Sequence, residues 1–133
     1  MNAGRLLREA GYDTDALRVR IAPVNPDTVN VWPASPVFRL FWRKRIEGVT
    51  YWRYVFVDAD VLRSDRERLA RLVIHELMHV RQYLTIGYPR FVAAYVKEYL
   101  SGRLRGLGGY EAYREISFER EAREMTARTI RLS

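Results

Sequence analysis

Val73-Ile74-His75-Glu76-Leu77-Met78-His79-Val80 is the stretch from which the rest of the chain can be read. It contains His-Glu-x-x-His and uses the only two histidines among 133 residues. On a helix, positions four apart differ by only about 40° in direction, so His75 and His79 share a face. Two neutral imidazoles on one face can hold one Zn²⁺, and the intervening Glu76 can activate a water there. Two histidines scattered at random fall four apart, with Glu after the first, roughly one time in a thousand, so the spacing carries weight of its own.

Outward from the motif, Ser64-Asp65-Arg66-Glu67 has the Ser-x-x-Glu spacing of a capping box and predicts a helix start. That helix is expected to run to about Leu84–Ile86 and to stop at Gly87. Leu69, Leu72, Val73, Glu76, Leu77 and Val80 cluster on one side of it, with His75 and His79 at the border of the apolar arc. A metal would then sit at a cleft floor. Tyr88-Pro89 opens a second helix, with Phe91, Val92, Tyr95, Val96 and Tyr99 at helical spacing as far as Leu100. Residues 101–109 hold four glycines and read as a loop, and Tyr110 to Arg131 reads as one last helix.

Before the motif, residues 2–10 predict a short helix ended by Gly11. Leu17-Arg-Val-Arg-Ile21 alternates apolar and charged residues, the pattern of a half-buried strand. Residues 22–36 carry four of the five prolines and read as a loop, with a short extended piece near Val29–Trp32. Residues 37–46 and 49–58 are rich in aromatic and β-branched types and flank Glu47-Gly48, which predicts a β-hairpin. The expected class is α+β: a small, mostly antiparallel sheet with a hairpin, packed on about three main helices, in a single domain spanning 1–133.

Composition narrows the chemistry. Hydrophobic residues make up 48% of the chain and aromatics 13%, enough for a packed core. With no cysteine there is neither a disulfide frame nor a thiolate metal site. No apolar h-region follows Met1-Asn2-Ala3-Gly4 and no apolar stretch reaches membrane-spanning length, so a cytoplasmic protein is expected by default. The net charge is +7, and arginines make up 21 of the 23 basic residues. They are spread along the chain, with no basic run longer than Arg43-Lys44-Arg45, so a solvated surface is expected rather than a nucleic-acid face. Oligomeric state is not legible.

A zinc site needs a third protein ligand, and without a third histidine or a cysteine it must be a carboxylate. On a wheel centred on Glu119, Ala112 and Ile130 fall at about +20°, Ile116 at about +60°, Ala122 at about −60° and Thr126 at about −20°. Glu119 therefore sits on an apolar face, where a carboxylate is costly unless paired or metal-bound. Glu121, about 200° away, faces solvent with Arg114 and Arg128. Two alternatives stay open: Glu115, at about −40°, could be the ligand or a supporting partner, and Arg123, at about +40°, could neutralise Glu119 by an i,i+4 pair.

His75-Glu76-Leu77-Met78-His79-Val80-Arg81-Gln82, Phe91…Tyr95…Tyr99 and Tyr113…Ile116-Ser-Phe-Glu119-Arg-Glu-Ala122 together resemble the small single-domain gluzincins, or minimal zincins. The resemblance covers residues 50–125, and residues 1–36 match nothing in it. It implies a Glu ligand on a helix after the active-site helix, followed three residues later by a small residue, as in Glu119-x-x-Ala122. Some gluzincins orient a histidine with an Asp four residues after that Glu, where this chain has Arg123. The resemblance further implies a cleft-bordering strand to which substrate peptides add, matched by Tyr51 to Asp58.

The expected function is a zinc-dependent metallopeptidase acting on a peptide or protein. His75, His79 and Glu119 would hold the metal, Glu76 would be the general base, and Tyr110 or Tyr113 would stabilise an oxyanion. The rival expectation is a zincin-like module that binds zinc but cleaves little.

Overall fold

A computed structural model describes the backbone of residues 1–33, 48–51, 54–63 and 65–131. In chain order its elements are α1 (Ala3–Glu9), α2 (Thr14–Arg20), a 3₁₀ turn (Pro26–Thr28), β1 (Asn30–Pro33), β2 (Gly48–Tyr51), β3 (Tyr54–Val57), α3 (Ala59–Leu62), α4 (Arg66–Ile86), α5 (Tyr88–Leu104), α6 (Gly109–Glu115) and α7 (Ser117–Arg131). The class is α+β and mostly helical. No helix among the described residues is long and apolar enough to cross a membrane.

The sheet differs from the expected one. Its order is β1-β3-β2, with β1 parallel to β3 (Asn30↔Tyr54 to Pro33↔Val57) and β2 antiparallel to β3 (Gly48↔Val57 to Tyr51↔Tyr54). The sheet is therefore mixed, not mostly antiparallel. The chain reverses direction between β1 and β2 and again between β2 and β3, and two reversals leave β1 and β3 parallel. The predicted strand 49–58 is in fact two strands that pair with each other, and the predicted partner, 37–46, lies outside the described residues. Both edges of β3 are occupied, so a peptide cannot add to it as the family resemblance implied. Residues 1–3 pair along the outer edge of β1 through Val31 N→Met1 O and Ala3 N→Val29 O, at 2.7 and 2.9 Å.

Leu17 to Ile21 is helical, not a strand. Asp13 accepts from the amides of Asp15 and Ala16 and so caps α2. Alternation would put residues 17, 19 and 21 on one face. In α2, Leu17 and Ile21 are buried one turn apart while Val19 is 79% exposed.

Helix α4 runs through the core, and the residues packed on it position the site. Asp65 is its cap, accepting from Arg68 N at 2.8 Å, and Ser64 of the expected capping box lies outside the described residues. Its far end stops at Gly87, whose φ of 92° is costly for any residue with a Cβ. Ile74 and Met78, outside the expected apolar arc, are buried with Val73, Leu77 and Val80, so the middle of α4 is covered nearly all round. Each such side chain contributes about 1.5–3 kcal/mol by leaving water. Of the sheet, α4 packs chiefly on β2, and its most extensive helical neighbour is α7.

Two further expectations change around the glycines. Helix α5 continues through Ser101 to Leu104, and only residues 105–108 form the connection to α6. Gly102 is buried against α6, where a Cβ would meet that of Ala112 at 3.0 Å. The missing side chain lets two helices close up instead of marking a loop. The predicted helix 110–131 is broken at Ile116, whose ψ of 129° is extended.

The two readings of Leu17–Ile21 make different demands on stability. Ile21→Ala is expected to cost about 2–5 kcal/mol, Asp13→Ala about 1 kcal/mol, and Val19→Asp less than about 0.5 kcal/mol. Urea unfolding of the three variants checks this, and a large loss for Val19→Asp would restore the strand.

Candidate metal centre

The break at Ile116 gives Glu119 its place. Glu98 on α5 accepts from Ser117 N at 3.3 Å and from Ser117 Oγ at 2.9 Å, meeting polar groups where α7 begins. Glu119 consequently lies in the first turn of α7, where the helix dipole favours negative charge. It is 3% exposed, among the buried side chains Ala112, Ile116 and Ala122. Glu115 is exposed on the other side of the break, and so leaves the list of ligands. Arg123 donates to Arg114 O at 2.7 Å instead of pairing with Glu119. Glu121 is exposed as expected but also accepts from Gln82 Nε2 at 3.2 Å.

The oxygens of Glu119 face the two histidines of α4. His75 Nε2 lies 3.0 Å from Oε2, and His79 Nε2 lies 2.7 Å from Oε1. The imidazoles themselves meet edge to face, centroids 4.9 Å apart. One ligand atom from each of His75, His79 and Glu119 lies within 4.8 Å of the others, so the group could hold a metal ion. His79 Nε2 is close to Oε1 but off the alignment of a hydrogen bond. This buried nitrogen has no hydrogen-bond partner among the described residues. A buried imidazole nitrogen 2.7 Å from a carboxylate oxygen, yet out of line for a hydrogen bond, fits two ligands of one cation as well as it fits an ion pair. Two imidazoles and one carboxylate also match the protein ligands of a catalytic zinc site.

Glu76 is 3% exposed, and its charge acts on His79, Tyr83, Tyr95 and Tyr113, which puts it within electrostatic reach of the same cluster. Phe91 of α5 packs on His79 at 6.1 Å and on Phe118 at 4.7 Å between centroids, walling that side with aromatic surface. Two participants were not singled out from sequence. Tyr95 Oη donates to Glu119 Oε1 at 3.2 Å, and Gln82 Oε1 lies 2.8 Å from His79 Nδ1. Their positions on the site-facing sides of α5 and α4 were readable from helical spacing, one turn after Phe91 and after His79 respectively. Of the two tyrosines that were named, Tyr113 is the one whose phenol lies close enough to Glu119 to be perturbed by it, with Tyr110 stacked behind at 6.2 Å.

Burial works against both charges, and their pairing overrides it. Desolvation alone would lower the His79 pKa, but the Glu119 carboxylate pushes it up to about 9. Burial alone would raise Glu119, but His75 and His79 hold it well below the usual carboxylate range. Burial, reinforced by Glu119, raises Tyr95 and Tyr113, so both phenols stay protonated.

No protein-family model, curated protein or solved structure matches the chain.

These directions set the pH profile of the metal-free protein. His79 has a folded pKa above its ordinary 6.5, so its contribution is complete below 6.5 and is lost as pH rises through about 9. Glu119 is depressed from 4.5, so its contribution is present above 4.5 and disappears on acidification. Chelator-treated protein should therefore lose stability from pH 6.5 to about 9, and Glu119→Gln should flatten that slope. Urea midpoints across the range test this, and equal slopes in the two proteins would contradict it.

Proposed function

We propose that the protein is a zinc-dependent peptidase of the minimal gluzincin kind. The observation that carries this reading is the convergence of His75 Nε2, His79 Nε2 and the Glu119 carboxylate inside the core. A zinc ion held by these three residues supplies Lewis acidity and lowers the pKa of a water brought to it to about 7.

The chain's own residues do the rest. Glu76 takes the proton from the attacking water and returns it to the departing amine nitrogen as the C–N bond breaks. Enclosure by Phe91, Tyr95 and Phe118 keeps bulk water away and strengthens each charge interaction. Tyr113, protonated and beside Glu119, offers a neutral hydroxyl to the developing oxyanion, and Tyr95 donates to Glu119. A peptide or protein is the substrate and the cytoplasm its setting. A nucleic-acid partner is not part of this reading, because the arginines are spread along the chain with no basic run longer than Arg43-Lys44-Arg45.

A second reading, a zinc-binding module with little turnover, is favoured by two observations. His75 alone of the three ligands keeps appreciable exposure, 16% of its side chain, and both edges of β3 are taken. Hydrolysis of a mixed peptide library, with and without chelator, separates the two. Glu76→Gln is expected to keep zinc at one equivalent while turnover falls by about 10²–10⁴-fold. Full activity in that variant overturns the mechanism, and zinc binding by the wild type without hydrolysis selects the module.

A further inference from the structure

Gln82 lies one turn after His79 on α4, is 6% exposed, and has no part in the chemistry above. Its amide orientation is fixed by its neighbours. Nε2 is 2.9 Å from Phe118 O and 3.2 Å from Glu121 Oε1, a carbonyl and a carboxylate that can only accept. The amide nitrogen must therefore face α7, which turns Oε1 toward His79 Nδ1 at 2.8 Å. Since Oε1 cannot donate, Nδ1 carries the hydrogen. A neutral His79 then has its lone pair on Nε2, the atom that faces Glu119.

The second contact reaches the other ligand. Phe118 O belongs to the peptide joined directly to the nitrogen of Glu119, so one amide grips the ring of His79 and the backbone that carries Glu119. We propose that Gln82 is the positioning residue of the metal site, setting the tautomer of His79 and the approach of Glu119 together. Arg123, one turn after Glu119, turns away to Arg114 O. Groups that accept from the far nitrogen of a ligating histidine fix its orientation and raise its basicity. The inference rests on the metal reading of His75, His79 and Glu119.

The test compares zinc affinity, by competition with a chromophoric chelator, among the full-length wild type, Gln82→Leu and Gln82→Glu. Gln82→Leu removes both grips and is expected to weaken zinc binding by about 10–100-fold. Gln82→Glu keeps an acceptor for Nδ1–H but sets a carboxylate oxygen against Phe118 O and Glu121 Oε1, so it should recover only the part of that affinity that comes from holding His79. The d–d spectrum of bound cobalt should follow the same order, most altered in Gln82→Leu and closer to wild type in Gln82→Glu. Equal weakening in the two variants would reduce Gln82 to a helix-to-helix tie and overturn the inference, as would wild-type affinity in Gln82→Leu. A wild type that binds no zinc at all overturns the metal reading and this inference with it.

Discussion

The structure turns on one buried carboxylate. Glu119 lies in the core between two imidazole nitrogens of α4, and its charge cannot be left there alone. Because the histidines are on one long helix and the carboxylate is on another, satisfying that charge fixes how α7 meets α4. Those two helices form the most extensive helical contact in the molecule. The break at Ile116 belongs to the same constraint. It starts a new helix so that Glu119 falls in a first turn, where the backbone amides favour an anion.

Around this pair the fold supplies enclosure. Phe91 of α5 reaches across to His79 and Phe118, Tyr95 of the same helix donates to Glu119, and Gln82 bridges α4 to α7. The low dielectric so produced is what makes the His79–Glu119 interaction strong enough to reverse the effect of burial on both groups. It also narrows access, and that is the tension in the functional reading. The features that would hold a metal firmly also limit the room for a peptide.

The His75, His79 and Glu119 cluster was legible because each of its three residues is decided by local helical geometry. His75 and His79 are four apart, and the apolar neighbours of Glu119 repeat at helical spacing. The wheel for Glu119 survived the break at Ile116 because Ala122 and Thr126, on its own side of the break, remain buried beside it. Where the outcome depended on partners from elsewhere in the chain, local pattern misled. Alternation at Leu17–Ile21 suggested a strand, but a capping carboxylate at Asp13 and a spacing of four between the two buried residues favour a helix. The glycines after Leu100 suggested a loop, yet Gly102 is there because Ala112 comes so close. The sheet's mixed pairing was invisible because β1 joins β3 across the chain, and no residue of Asn30–Pro33 announces which strand it will meet. Gln82 and Tyr95 were visible as residues on the right faces, but their roles depend on Phe118 O and Glu119 Oε1, which only the tertiary structure brings near.

Crystals grown with zinc and measured on both sides of its absorption edge test the central claim most directly. One anomalous peak per chain is expected, bonded to His75 Nε2, His79 Nε2 and a carboxylate oxygen of Glu119. A difference map with no peak there, and with Glu119 still held directly between the two histidines, would show that the cluster is a buried ion pair and not a metal centre.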